Sequence, residues 1–223
     1  MFSRLIDIIL SVSALVLISP IFAATCVVLR FTGEHEVFYN QLRIGKNFQK
    51  IKILKFATML KDSPNLGSGE ITLENDPRVL PIGKILRKTK INELPQILNV
   101  LVGDMSLIGP RPQTKRCFDA YGDEVAKIIT TVRPGLSGIG SIIFRNEEKM
   151  ISTNLAAPDK FYDDIVMKYK GELEIWYVRK RCISLDIILI ILTVWVVFVP
   201  DSKLIWKIFR TLPAPPKTLE HFF

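Results

Sequence analysis

Cysteine is nearly absent from the 223-residue sequence: Cys26, Cys117 and Cys182 lie far apart and form no Cys-x-x-Cys pair. A disulfide framework and a zinc-ligand spacing are both excluded, and a reducing, cytosol-facing setting is expected for most of the chain. Histidine is scarcer still: His35 and His221 are isolated from any metal-ligand set and read as solvated. With 12 Gly and 13 Pro the chain is neither collagen-like nor low in complexity. Long apolar runs are missing except for residues 8–29, so a protein with many membrane spans is excluded. Acidic residues are short too, 22 Asp+Glu against 30 Lys+Arg, which leaves a net charge of +8. Yet the chain is 48% hydrophobic, with a mean hydropathy of +0.27. A soluble nucleic-acid binder is normally polar overall, and no helix-turn-helix or stacking-aromatic pattern accompanies the charge, so no nucleic-acid partner is expected. The length suits one domain, or at most two, with room for a sizeable core.

What is present sits at the two ends. Residues 8–29 carry no charge, and at about 1.5 Å per residue a helix of that length crosses a bilayer. Ser19-Pro20 falls near its middle, where the proline removes a backbone donor and predicts a kink. Arg30, Arg43, Lys46, Lys50, Lys52 and Lys55 follow the segment while Arg4 precedes it. This asymmetry places the globular part on the cytoplasmic side. A segment that breaks at Ser19-Pro20 and returns to the same face keeps both ends there. A cleaved signal peptide is the competing reading. Its n-region would hold one Arg and one Asp, and the apolar stretch is long for an h-region. Residues 187–199 form a second uncharged zone, too short to span, that predicts a buried or interfacial helix with Trp195 and Trp206 as anchors. Pro213, Pro215 and Pro216 predict an extended tail.

Between the ends, residues 37–61 contain six basic residues and no acid, and residues 78–90 contain five and no acid. Residues 48–59 predict a short strand and residues 62–81 a loop. Leu94, Ile97, Leu98 and Leu101 recur at helical spacing, so residues 92–101 predict a helix capped by Asn92, with Glu93 and Pro95 in its first turn and Gly103 past its end. Glu93 then stands at a helix N-terminus directly after Arg87, Lys88 and Lys90. That arrangement suits a phosphate together with a divalent metal, although a first-turn acid commonly does no more than complement the helix dipole. Two prolines flank Arg111 and restrict its backbone, which favours bidentate phosphate binding or simply a rigid turn. Residues 133–138 form another stiff turn. Arg145 follows residues 139–144, an apolar run that predicts a strand. Cations repeated at turns point to an anionic ligand.

One ordered series runs through these positions: Asn92-Glu93-Leu94-Pro95-Gln96, Asn99-Val100-Leu101, Gly103-Asp104-Met105-Ser106 and Gly109-Pro110-Arg111-Pro112. It resembles the signature of the bacterial sugar transferases, the monotopic polyprenyl-phosphate phosphoglycosyl transferases. Ser19-Pro20, Gln41-Leu42-Arg43-Ile44-Gly45, Lys55-Phe56-Ala57-Thr58-Met59, Asp76-Pro77-Arg78, Arg133-Pro134-Gly135 and the region 177–193 with Asp186 extend the resemblance over most of the chain. It implies an α+β fold: a mainly helical small catalytic domain with short β elements, behind a re-entrant membrane helix kinked at Ser19-Pro20. Residues 1–32 would be that helix, 33–210 the catalytic domain on the cytoplasmic face of the bacterial inner membrane, and 211–223 the tail.

The implied reaction moves a sugar-1-phosphate from a nucleotide diphosphate sugar such as a UDP-sugar to polyprenyl (undecaprenyl) phosphate. It releases UMP, uses Mg²⁺, and initiates a bacterial surface polysaccharide. By the same resemblance Glu93 is a catalytic, metal-holding carboxylate. Lys55, Arg87, Arg111, Arg145 and Asp186 are polar positions at the substrate phosphates. Two positions depart from the pattern: Asn92 stands where the family nucleophile is Asp, and Ala57 where Arg or Lys is usual. An amide oxygen is a poor nucleophile. Three possibilities follow: Glu93 attacks; polyprenyl phosphate attacks directly; or the protein is an inactive substrate-binding or scaffold member of a polysaccharide-assembly complex. Neither the sugar nor the oligomeric state is encoded in spacing.

Overall fold

The computed structural model describes residues 2–66, 72–73, 75–152 and 158–223; residues 67–71 and 74 of the expected loop lie outside the described residues. The chain forms two compact units, Met1–Leu42 with Lys52–Gly103 and Arg43–Ile51 with Asp104–Phe223. Helices dominate, and the four named strands form two small two-stranded sheets, the mainly helical α+β composition expected.

In the first unit, helix α1 (Phe2–Phe31) is long and apolar enough to cross a membrane. It continues as one helical element through Pro20. Proline has no N–H to offer the carbonyl four residues back, that of Val16. The Ser19 hydroxyl donates to that carbonyl instead, at 2.8 Å. The Ser-Pro pair therefore repairs its own defect, as apolar surroundings require. One side of α1, marked by Asp7, Ser11, Thr25 and Leu29, is buried, while Val16, Leu17 and Phe31 are exposed. The buried side meets α3 (Gln96–Val102). There the Arg4 guanidinium donates to the carbonyls of Val100 and, at 2.7 Å, Leu101, placing a cation on the negative end of α3.

Strands β1 (Phe38–Ile44) and β2 (Lys50–Phe56) form one sheet. Their short connection admits only an antiparallel hairpin, because a parallel pair needs a crossover of a dozen or more residues. Asn99 of α3 pairs with the β2 backbone like a neighbouring strand: its Oδ1 accepts from the Leu54 N–H (2.9 Å) and its Nδ2 donates to the Lys52 carbonyl (2.8 Å). Helix α2 (Pro81–Lys88) begins with proline, whose missing N–H costs nothing there. A Cβ on Gly83 would lie 2.1 Å from the Thr58 carbonyl oxygen, so only glycine lets α2 approach this closely. Leu29, Phe56 and Leu86 then form a buried cluster, with Phe22, Cys26, Val37, Ile82, Ile91 and Leu94 packed on it.

In the second unit, β3 (Ser106–Ile108) and β4 (Gly135–Ser137) pair in parallel. Residues 139–144, expected as a strand, instead contain helix α6 (Ile139–Ile143), and the strand lies just upstream in the expected turn. The run holds only four large apolar side chains, interrupted by Gly140 and Ser141, and carries no decisive period. Helix α9 (Met167–Lys180) packs against α6. Helix α10 (Ile183–Phe198) buries Leu185, Leu189, Leu192 and Val196, as the buried alternative expects, and exposes Ile187, Ile191, Val194 and Phe198. Residues 213–216 have no regular structure, as their prolines predict. The tail is nevertheless docked: Leu219 is buried, the Tyr169 hydroxyl donates to the Pro213 carbonyl (2.9 Å), and the Phe223 ring meets Phe144 at 5.4 Å.

Phe56→Ala should remove the centre of the first cluster and cost about 3–5 kcal/mol. Thermal unfolding in detergent checks this; an unchanged midpoint would contradict the packing described.

Candidate functional site

The polar candidates of the first unit surround the Leu29–Phe56–Leu86 cluster. Lys55 precedes Phe56 on β2, Arg87 follows Leu86 on α2, and Asn92 and Glu93 lie between Ile91 and Leu94, both of which pack on it. The Asn92–Glu93 segment is not the first turn of α3, as the spacing predicts. Ile91–Glu93 form a separate 3-10 turn, entered through Lys90 in the left-handed region (φ 61°), and α3 begins at Gln96. The reason lies in Pro95. A capping Asn92 would seek the N–H groups of residues 94 and 95; Pro95 has none, and the Leu94 N–H is held by the Ile91 carbonyl at 3.0 Å. Asn92 is therefore turned inward, only 6% exposed. Its Oδ1 is buried with no hydrogen-bond partner among the described residues. A buried acceptor is costly unless a donor, whether protein, water or ligand, serves it. Glu93 beside it is half-buried. One Arg87 nitrogen lies 3.7 Å from the Met59 sulfur.

Asp76-Pro77-Arg78 has a structural explanation. The Arg78 guanidinium donates to Asp76 Oδ1 and Oδ2 (2.9 and 2.6 Å) and to the carbonyls of Ser63 and Leu66 (2.8 Å each). The two side chains are buried together, and Arg78 holds the Asp76 carboxyl below its usual range. The pair braces the segment entering α2.

In the second unit, three glycines let the two proline-rich turns touch through bare backbone. A Cβ on Gly135 would lie 2.2 Å from the Gly109 nitrogen, and one on Gly138 would lie 2.2 Å from the Gly109 carbonyl oxygen. The Gly135 N–H donates to the Pro110 carbonyl (2.8 Å) and the Gly109 N–H to the Ser137 carbonyl (3.0 Å). Arg111 thus sits on a turn riveted to β4, its side chain half-buried. Asp186 accepts from the Tyr177 hydroxyl at 2.7 Å and faces Arg181 at 3.7 Å. Tyr177 also reaches the Ile108 carbonyl at 3.3 Å, so Asp186 buttresses the end of β3 just before the Pro110–Pro112 turn. Arg145 is half-buried after α6.

Two further residues escaped the sequence reading. Glu174 on α9 is 1% exposed. Its Oε1 accepts from the Arg111 N–H at 3.3 Å, and its Oε2 has no partner among the described residues. Burial pushes its carboxyl up to about 8. Lys170, one turn earlier, is also buried and pairs with Glu147. The signal was local: Lys170 and Glu174 are four apart in a helix otherwise lined inside by Met167, Leu173 and Tyr177.

Among the described residues no group of three or more His, Cys, Asp or Glu is arranged to hold a metal. The Glu93 carboxylate beside the buried, unserved Asn92 oxygen does fit Mg²⁺, a cation commonly held by one or two protein oxygens and completed by substrate phosphates.

The profile of the family described as bacterial sugar transferase matches residues 1–200. An Aeromonas hydrophila relative, UDP-N-acetylgalactosamine-undecaprenyl-phosphate N-acetylgalactosaminephosphotransferase, is 32% identical over 193 residues, covering 86% of this chain and 42% of its own length. The exopolysaccharide production protein ExoY of Sinorhizobium fredii is 36% identical over 158 residues, 65% of this chain and 70% of its own. The Klebsiella pneumoniae UDP-glucose:undecaprenyl-phosphate glucose-1-phosphate transferase is 33% identical over 204 residues, 90% of this chain and 41% of its own. The chain thus spans about two fifths of the first and third of these relatives.

Glu174 carries a pH signature. Its carboxyl has a folded value of about 8 against an ordinary 4.5. Between these the folded state holds a proton that the unfolded chain has released, so stability falls as pH rises through the window and levels off above it. Glu174→Gln should remove that slope. Unfolding midpoints from pH 5 to 8.5 check this; an identical decline in both proteins would contradict it.

Proposed function

The chain belongs to the bacterial sugar transferase family, and we propose that it transfers a sugar-1-phosphate from a UDP-sugar to undecaprenyl phosphate at the cytoplasmic face of the membrane, initiating a surface polysaccharide. The observation that carries this reading is the seat of the Asn92–Glu93 turn. Ile91 and Leu94 pack on the same cluster as Phe22, Cys26 and Leu29, the last three turns of the apolar helix α1. A phosphate borne on a lipid chain beside α1 would arrive at this level. Relatives with undecaprenyl phosphate in their names support the acceptor, and ExoY supports the exopolysaccharide role. The basic stretches 37–61 and 78–90 favour the cytoplasmic face and its anionic lipid. A reversal of α1 at Ser19-Pro20 under bilayer conditions belongs to the same proposal.

The chemistry follows from which groups can do what. Asn92 is neutral and its amide oxygen does not attack phosphorus at a useful rate. Glu93 is the sole acid between residues 77 and 103, and a carboxylate engaged in holding a cation is poorly placed to attack as well. An oxygen of undecaprenyl phosphate therefore attacks the sugar-bearing phosphorus directly. The bond from that phosphorus to the bridging oxygen breaks, and UMP departs with the electron pair, leaving a lipid diphosphate sugar. Lys55 and Arg87 offset charge on the transferring phosphoryl group, and Arg111 and Arg145 hold phosphates of the nucleotide. Asp186, bonded to Tyr177, supports the Pro110–Pro112 turn that carries Arg111. Glu93 and the Asn92 oxygen would hold Mg²⁺, which would supply further charge neutralisation when bound with the diphosphate.

Detergent-solubilised protein given Mg²⁺, undecaprenyl phosphate and a panel of UDP-sugars should release UMP with at least one sugar. Glu93→Gln should lower the rate by about 100-fold or more, the scale of losing a main electrostatic group, while Asn92→Ala keeps measurable turnover. Silence across the whole panel would instead favour the inactive, substrate-binding member of an assembly complex.

A further inference from the structure

We propose that Lys170 and Glu174, one turn apart on α9, are positioning residues that together set the placement of Arg111 and Arg145. The inference rests on the reading of those two arginines as phosphate-binding. Three contacts carry it, all within the second unit. First, Glu174 Oε1 accepts from the Arg111 N–H at 3.3 Å, tying α9 to the backbone of the Pro110–Pro112 turn. Second, α6 presses on the same carboxylate: a Cβ on Gly140 would lie 2.5 Å from Glu174 Oε1. Helix α6 runs directly into Phe144 and Arg145, so its packing against Glu174 fixes where that arginine begins. Third, Lys170 grips both sides of Arg145. Its Nζ lies 5.0 Å from the centre of the Phe144 ring and pairs with Glu147, and it also stands 5.3 Å from the Tyr162 ring. The Glu147 N–H donates to the Phe144 carbonyl at 3.1 Å, closing a turn around the intervening Arg145 and Asn146.

Burying a lysine and a glutamate is expensive, and an apolar pair would serve simple packing as well or better. Their burial together is explained by what they hold. Glu174 fixes the backbone from which one guanidinium projects, and Lys170 fixes the residues flanking the other. Neither touches substrate; each acts through an arginine.

The test is steady-state kinetics of UMP release on the full chain, with binding of UDP measured alongside. Positioning of ground-state phosphate contacts predicts that Glu174→Leu and Lys170→Met raise KM for the UDP-sugar about tenfold or more. That is the scale of one lost hydrogen bond, and kcat should change much less. UDP affinity should fall in parallel, and Glu174→Gln, which keeps an acceptor for the Arg111 N–H, should rescue most of it. A merely structural role predicts lower unfolding midpoints and less active protein at unchanged KM, and that result overturns the proposal. If Glu174→Leu does not fold, Gly140→Ala tests the same contact by displacing the carboxylate, and an unchanged KM there is equally fatal. Wild-type protein that neither releases UMP nor binds UDP sinks the reading beneath the proposal as well; wild-type turnover with unaltered KM in the variants sinks the proposal alone.

Discussion

The contact among Leu29, Phe56 and Leu86 governs the first unit because each side chain comes from a different element: the membrane-type helix, the second hairpin strand and the short basic helix. Burying them together fixes the end of α1 against the residues that bear charge. Lys55, Arg87, Asn92 and Glu93 each lie next to a member or neighbour of this cluster, so apolar packing helps to determine where they stand. Such an arrangement suits a chemistry that depends on fixed charge, since groups held by a dry core do not have to reorganise as the reaction proceeds. It also explains how a chain can be both basic and hydrophobic: the two properties occupy adjacent positions on the same elements.

The second unit reaches a similar end by other means. Its central feature is the crossing of Gly109, Gly135 and Gly138, where backbones approach so closely that no side chain fits. Parallel pairing of β3 and β4 locks two proline-stiffened turns together, and α9 and α10 close around them through Glu174, Tyr177 and Asp186. Glu174, buried with one oxygen unpartnered among the described residues, is neutral below about pH 8. The mobility of Arg111 on its turn is thereby limited at its backbone.

Much of this was legible in the sequence, and the exceptions have physical causes. The 8–29 run, the apolar zone at 187–199 and the helix after residue 92 follow from composition and period. Strand β1 was invisible because its burial does not alternate cleanly, and β3 and β4 because three-residue strands carry no period and their pairing partner lies far along the chain. Residues 139–144 were too short to separate strand from helix. Asn92 misled as a cap because the neighbour that disqualifies it, Pro95, acts through a missing N–H. The ordered motif series pointed to Lys55, Arg87, Glu93, Arg111 and Arg145; it could not reveal that Asp186 serves Tyr177 or that Glu174 is buried, since burial is a property of the assembled unit.

On the proposed function, a chain with asparagine at position 92 transfers its sugar phosphate directly to the lipid acceptor. The most direct measurement is UMP release from the UDP-sugar in the absence of undecaprenyl phosphate, followed by intact-protein mass spectrometry. Direct transfer predicts no UMP until the acceptor is added and no mass shift on the protein. A stoichiometric burst of UMP with a sugar-phosphate adduct on Glu93 would contradict it.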